Sequence, residues 1–226
     1  MPTPPSAPFE HPAFWDERYG ADAAYVYGRR PNATFAELLD ALPPGRLLLV
    51  AEGEGRNAVY AAERGWAVTA TDFSASARDK ALALAAERGV RIDYEVADAT
   101  TYTTDERFDA VALVFLHLGP AQRAEVFRRY AELLAPGGRL IVVVYHPDQL
   151  GRASGGPKKA EWLVSEGELA KTFAGALRTE TLERREVKLD EGPLHRGPAA
   201  VTAYVGVRGT NREGPGEQRS TCLRVL

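Results

Sequence analysis

From Leu47 to Tyr145 the chain alternates short apolar runs with segments of helical spacing, and few architectures accommodate that rhythm. Leu47–Ala51, Ala67–Thr71, Ile92–Val96, Asp109–Leu116 and Arg139–Tyr145 read as strands. Asn57–Arg64, Ser76–Arg88 and Pro120–Leu134 read as helices. Leu47–Ala51 is apolar throughout, as a strand covered on both faces must be. Gly65 and Gly89 stand where helices stop, Pro136-Gly137-Gly138 breaks the third, and Ser76 with Asp79 has the spacing of a capping box. Such alternation predicts an α/β fold with a doubly wound, mostly parallel sheet. Right-handed crossovers place its ligand outside the carboxyl ends of the strands.

The pattern changes after Tyr145. A Gly-, Pro- and Lys-rich loop spans Pro147–Ala160, and Ser165 with Glu168 opens a helix to Phe173. Thr181–Leu189 and Ala199–Val207 are strand-like, and Asp190–Pro198 between them is too short for a crossover helix, so the two strands should be antiparallel neighbours. On the N-terminal side, Pro12–Tyr19 reads as a short helix with Trp15 and Tyr19 on one face, and Thr34 as the cap of a helix to Leu42. The expected organisation is one domain over residues 12–208, with 12–45 as a helical lid, between disordered ends at 1–11 and 209–226.

The 226 residues hold 28 Lys and Arg against 31 Asp and Glu, a formal charge of −3, which argues against a nucleic-acid-binding surface as the main function. The lone cysteine, Cys222, excludes an intrachain disulfide and a cysteine-built zinc site. Met1–Pro8 lacks the basic and apolar regions of a leader, and no apolar run approaches the ~18–20 residues of a membrane span. A cytoplasmic protein is expected, with no membrane, nucleic-acid or obligate protein partner.

Three features carry the chemistry. In Val50-Ala51-Glu52-Gly53-Glu54-Gly55-Arg56-Asn57-Ala58, two residues without Cβ let the backbone turn sharply and a ligand lie against it. The helix after Gly55 offers its positive end, where free N–H groups favour a carboxylate or phosphate. Asp72 ends the second strand, where an acid can accept both ribose hydroxyls; it also has the place of a helix-capping acid. Asp98 follows the third strand and can accept from an adenine amine, or be an ordinary loop acid.

Together these residues resemble the class I S-adenosylmethionine-dependent methyltransferases, and the likeness runs from about Trp15 to Val207. The resemblance implies a seven-stranded Rossmann-like sheet with an antiparallel last strand. It implies transfer of the methyl group of S-adenosyl-L-methionine to a small-molecule acceptor, giving S-adenosylhomocysteine. Ala51, Gly53 and Gly55 would then pack against the methionine part of the cofactor. Asp72 would hold the ribose and Asp98 the adenine amine, while Phe73 and Ala99 would flank the adenine. A narrower likeness lies in Gly53–Ala58, Phe115-Leu116-His117-Leu118, Gly155-Gly156-Pro157-Lys158 and Leu194-His195-Arg196-Gly197. These segments are similar to small bacterial methyltransferases of the tellurite-resistance and thiopurine methyltransferase group. The chain departs from the superfamily pattern where Leu49 replaces an acid and Ala51 a glycine; Glu52 or Glu54 is the available substitute for the acid.

His117, ending the fourth strand, is the candidate catalytic base, or else a histidine supporting its loop. His146 shares that ambiguity, and His195 reads as a turn residue near the site mouth. No metal is expected from these three. Trp15, Tyr19, Tyr25 and Tyr27 form either a lid over the cofactor or a packed helix face, Arg56, Asn57 and Phe115 join the expected cofactor contacts, and Lys158 and Lys159 read as a solvated pair or as attraction for an anionic acceptor. Two rival readings remain. Gly53-x-Gly55-x-x-Ala58 with Asp72 also meets the pattern of an NAD(P)-dependent oxidoreductase, though no Tyr-x-x-x-Lys pair occurs. A non-catalytic nucleoside-binding module of the same fold is the other.

Overall fold

A computed structural model describes residues 11–21, 23–192 and 194–210. The expectations of disorder at 1–10 and 211–226, and Cys222 with them, lie outside the described residues.

The elements follow in the order α1 (Pro12–Gly20), α2 (Ala33–Asp40), β1 (Arg46–Val50), α3 (Arg56–Glu63), β2 (Ala67–Asp72), α4 (Ala75–Glu87), β3 (Asp93–Val96), β4 (Phe108–Val114), α5 (Pro120–Glu132), β5 (Leu134–Tyr145), α6 (Glu166–Phe173), β6 (Arg178–Asp190) and β7 (Arg196–Val207). They build one seven-stranded sheet in the order β3-β2-β1-β4-β5-β7-β6. Strands β1 to β5 are parallel, and β7 runs antiparallel between β5 and β6. The β6–β7 pair is the expected hairpin, extended at both ends. Its antiparallel insertion departs from the 3-2-1-4-5-6 order of dinucleotide-binding sheets. That is the Rossmann-like methyltransferase sheet.

Because side chains alternate across a strand, one run of sequence feeds two cores. Leu47 and Leu49 of β1 point into a cluster with Phe35, Ala58, Leu84, Ile141 and Val143. Leu48 and Val50 point the other way, onto Phe127, Tyr130, Val142 and Phe173. Each fully buried Leu or Phe contributes about 1.5–3 kcal/mol. Leu49, which stands where the superfamily has an acid, is therefore a core residue.

Two expected caps are displaced. Asn32, not Thr34, caps α2 by accepting from the Phe35 amide, so the helix starts at Ala33. Ser74, not Ser76, caps α4 by accepting from the Ala77 amide, and Asp79 pairs with Arg78 instead of closing a capping box. The Asn and Ser that win have extended backbone before the first turn, which is the cap geometry. Ser165 caps α6 as expected. Strand β5 begins at Leu134 rather than Arg139, because the Pro136-Gly137-Gly138 turn is absorbed as a shift in register between Phe108 and Ala110 of β4.

Candidate functional site

A cavity of about 400 Å³ opens at the carboxyl ends of β1, β2, β3 and β4. Its lining includes Trp15, Tyr19, Ala51, Gly53, Arg56, Asn57, Asp72, Phe73, Asp98, Ala99, Phe115 and His117. Gly55 alone of the expected site residues is not on the wall. It is the N-terminal cap of α3 with φ 84°, and a Cβ there would lie 2.5 Å from Ala81 Cβ, so its role is close helix packing.

The glycine turn begins with backbone in an unusual state. Ala51 has φ 53° and Phe115, at the end of β4, has φ 56°; they are the only non-glycine residues of positive φ among those described, and both line the cavity. Such conformations cost of order 1–3 kcal/mol and gather at functional sites. Ala51 thus takes the backbone shape that a glycine would take freely.

Asp72 joins two turns. One oxygen accepts from the Gly53 amide at 3.0 Å and the other from the Ser74 amide at 3.0 Å. Burial raises its carboxyl to about 6, against the pull of those two amides. Asp98, on the next strand end, is exposed; one oxygen accepts from the Thr100 amide and hydroxyl at 2.7 and 2.8 Å. Tyr94 donates to the Gly53 carbonyl at 2.6 Å and steadies the turn from below.

The positive end of α3 is not open to an outside anion. Glu52 Oε1 accepts from the Asn57 and Ala58 amides, each at 2.7 Å, and Oε2 accepts from the Asn57 side chain at 3.2 Å. The chain's own carboxylate thus fills the place expected for a ligand carboxylate or phosphate. Burial raises Glu52 to about 7 in spite of these bonds. Glu54, the other possible replacement for the lost acid, pairs with Lys80 at 2.9 Å.

Helix α1 covers the glycine turn. Asp16 accepts from the Ser74 hydroxyl at 2.6 Å and the Ser76 amide at 3.2 Å, which docks α1 on the start of α4. Trp15 and Tyr19 stack with ring centroids 5.4 Å apart, and the Tyr19 hydroxyl would lie 2.9 Å from a Cβ at Gly53. Tyr27 meets both rings, at 6.5 and 6.4 Å. Tyr25 is elsewhere, donating to the Lys80 carbonyl at 3.0 Å.

The opposite half of the cavity is assembled from distant sequence. Arg56 donates to Glu191 at 2.8 Å and to the Tyr27 carbonyl at 3.1 Å, and the Asn32 side chain donates to Glu191 at 2.9 Å. Burial opposes the Glu191 charge, but His195, Arg56 and Asn32 together hold its carboxyl down to about 2. Glu191 and His195 lie in the β6–β7 turn, so these bonds carry His195 into the cavity, where it lines the wall. Burial lowers both His195 and His117, the latter to about 3, helped by the charges of His195 and Arg123; both rings are neutral at ordinary pH.

His146 is remote from the cavity: Glu166 lies 3.1 Å from its Nε2, and its Nδ1 accepts from the Asp148 amide. Lys158 donates to the Arg152 carbonyl, and neither it nor Lys159 lines the cavity. Among the described residues there is no cluster of three metal-ligating groups. Tyr27 and His195, read from the sequence as a lid-or-packing aromatic and a turn residue near the site mouth, both line the cavity. Glu191 is the component that sequence spacing missed, because it works through Arg56, 135 residues away.

Residues 47–138 match the family model of a methyltransferase domain. The chain is 36% identical over 115 residues to a demethylmenaquinone methyltransferase of Thermus thermophilus, covering 48% of this chain and 50% of that protein. The chain spans half or less of the length of the curated relatives it matches. In fold it is similar to TehB of Haemophilus influenzae (TM-score 0.63, 16% identity, 87% of this chain and 66% of that one). It is similar also to 1,6-didemethyltoxoflavin-N1-methyltransferase of Burkholderia thailandensis with bound S-adenosylhomocysteine (TM-score 0.61, 21% identity, 92% and 93%). Residues 47–138 are thus similar to a methyltransferase domain, and the chain has the Rossmann-like fold of the methyltransferases it resembles.

Proposed function

We propose that the protein transfers a methyl group from S-adenosyl-L-methionine to a small-molecule acceptor. The observation that carries this reading is Asp72. It is a buried carboxylate on the cavity wall, tied to the glycine turn, with Asp98 on the adjoining strand end. Each Asp72 oxygen uses one lone pair on a backbone amide and retains another for a hydroxyl. Two carboxylates on neighbouring strands, beside a backbone turn without side chains, fit a ribose and an adenine amine.

In this reading Asp72 holds the ribose, Asp98 the adenine amine, Phe73 and Ala99 flank the ring, and Ala51, Gly53, Arg56, Asn57 and Phe115 shape the methionine end, with Gly55 supporting the turn through its packing on α4. Trp15 and Tyr19 close over it. The bound cofactor supplies an electrophilic methyl group on a sulfonium sulfur. The chain's work is alignment and exclusion of water, worth roughly 7–11 kcal/mol in the best-aligned cases. Neutral His117, the candidate catalytic residue, accepts a hydrogen bond from the acceptor and orients it towards the methyl group.

Residues 12–208 act as one domain with 12–45 as its lid. The small mixed-charge surface supports a small acceptor and no nucleic-acid, membrane or obligate protein partner. No helix among the described residues is long and apolar enough to cross a membrane. The lone cysteine supports a cytoplasmic setting. The test is isothermal titration with S-adenosylmethionine and with NAD. Micromolar binding of the first and none of the second is expected; no heat with S-adenosylmethionine at millimolar concentration removes the proposal.

A further inference from the structure

We propose that His195, brought in by the β6–β7 turn, binds the methyl acceptor opposite His117, and that this acceptor is a flat, uncharged ring compound presenting an N–H or O–H group. The inference rests on the methyltransferase reading and deepens it.

The first ground is shape. Phe115 and His117 face Tyr145 almost in parallel, at interplanar angles of 22° and 9°. They form a shelf of rings. His195 stands across it, at 79° to Phe115 and 83° to Tyr145, with centroids 5.0 and 5.8 Å away. Tyr27 closes the far side at 4.5 Å from His195. A corner made of a shelf and an upright accepts a flat ring against the shelf, with one polar edge turned to the upright.

The second ground is charge. The cations acting on the two histidines already have counter-ions: Arg56 is paired with Glu191 at 2.8 Å, and Arg123 with Glu168 at 2.6 Å, while Arg18 donates to the Tyr27 hydroxyl at 3.2 Å from outside the cavity wall. An anionic acceptor would leave water without a free cation on the wall to meet it, and an ammonium would find Glu191 paired with Arg56 and, once cofactor is bound, Asp72 and Asp98 occupied by it. Burying an unpaired charge is strongly unfavourable, so the corner selects against both.

The third ground is hydrogen-bonding capacity. Among the described residues no group hydrogen-bonds either ring nitrogen of His117; His195 Nδ1 is buried and faces Glu191 Oε2 at 3.7 Å, which leaves Nε2 for the acceptor. Neutral His117 offers one donor and one acceptor, and His195 Nε2 adds one more partner, which suits an N–H or O–H that must be oriented.

The corner is also built to be rigid. A Cβ on Gly155 would lie 3.0 Å from His195 Cδ2 and 2.7 Å from the Leu194 carbonyl, so the loop backs the histidine directly. Glu191 holds the turn from the other side, as a positioning residue acting through His195.

The experiment titrates the full chain, saturated with S-adenosylhomocysteine, with 2-naphthol, 2-naphthoate and 2-naphthylmethylammonium. These share one ring system and differ in charge. The naphthol is expected to bind at least tenfold more tightly than either ion. His195→Ala should weaken naphthol at least fivefold while leaving S-adenosylhomocysteine affinity within twofold, and His195→Gln should restore part of the loss. Equal or tighter binding of an ion, no ring binding at all, or naphthol affinity unchanged in His195→Ala would overturn the inference while S-adenosylhomocysteine still binds. Failure of S-adenosylhomocysteine itself to bind would instead remove the methyltransferase reading and the inference with it.

Discussion

Arg56 and Glu191, 135 residues apart, form a buried ion pair at 2.8 Å with side chains 8% and 6% exposed. It fastens the tip of the β6–β7 hairpin to the first turn of α3, so the glycine turn and the far wall of the cavity move as one unit. Removing one partner of such a pair leaves a buried charge alone, and costs about 3–5 kcal/mol. Glu191→Ala should lower stability by that amount in denaturant unfolding. The folded carboxyl lies near 2, below the ordinary 4.5, so its contribution is full above pH 4.5 and disappears as pH falls towards 2. Wild type and variant should therefore converge in acid; a constant gap down to pH 2 would contradict the pairing.

Asp72 predicts how cofactor affinity follows pH. With the carboxyl raised to about 6, the anion that best accepts ribose hydroxyls is present above that pH. Affinity for S-adenosylmethionine should be level above pH 6 to 7 and fall by up to tenfold per unit below about 6. Asp72→Asn should bind at least tenfold more weakly at pH 7.5 and lose that slope, both read by titration calorimetry.

Ala51 holds φ 53°, a conformation that L-residues enter at a cost of about 1–2 kcal/mol. Ala51→Gly should therefore raise stability, or leave it unchanged after the entropy lost in the unfolded chain, whereas Ala51→Val should lose it. Thermal unfolding of the two variants measures the difference in sign.

Gly55 makes the opposite case. Its φ is 84°, and an added Cβ would meet Ala81 Cβ at 2.5 Å and Cα at 2.7 Å. Gly55→Ala should cost about 2–4 kcal/mol from overpacking and left-handed backbone together. The loss should appear in global unfolding, because the clash lies between α3 and α4 and not on the cavity wall.

His117 fixes the expected form of the pH–rate profile. With its ring lowered to about 3 by burial, it stays neutral from pH 5 to 8. No acid limb near 6.5 should arise from it, and His117→Ala should lower kcat/KM for the acceptor by about tenfold, the loss of one orienting hydrogen bond, without reshaping the profile above pH 5. An apparent pKa of 6.5 that vanishes in the variant would show an exposed, ordinary imidazole instead.

The strand-helix rhythm, the hairpin and the ring of residues from Ala51 through Asp72 to Asp98 could be read from the chain because each rests on local rules. Periodicity names the buried face, turn chemistry names the breaks, and a parallel sheet brings consecutive strand ends to one edge. Cap identity was less legible: Asn32 and Ser74 compete with Thr34 and Ser76 a residue or two away, and the backbone geometry chooses between them.

What depended on the tertiary structure is everything joined across the sequence. Glu52 reads as a spare acid until α3 turns its amides onto it. His195 reads as a turn residue until Glu191 meets Arg56 and draws the hairpin tip over the cavity. Spacing along the chain is enough to specify the sheet, the double-sided burial of its strands and the carboxylates at its edge. Only the fold decided which charges are neutralised and which rings converge, because burial and pairing are properties of neighbours in space.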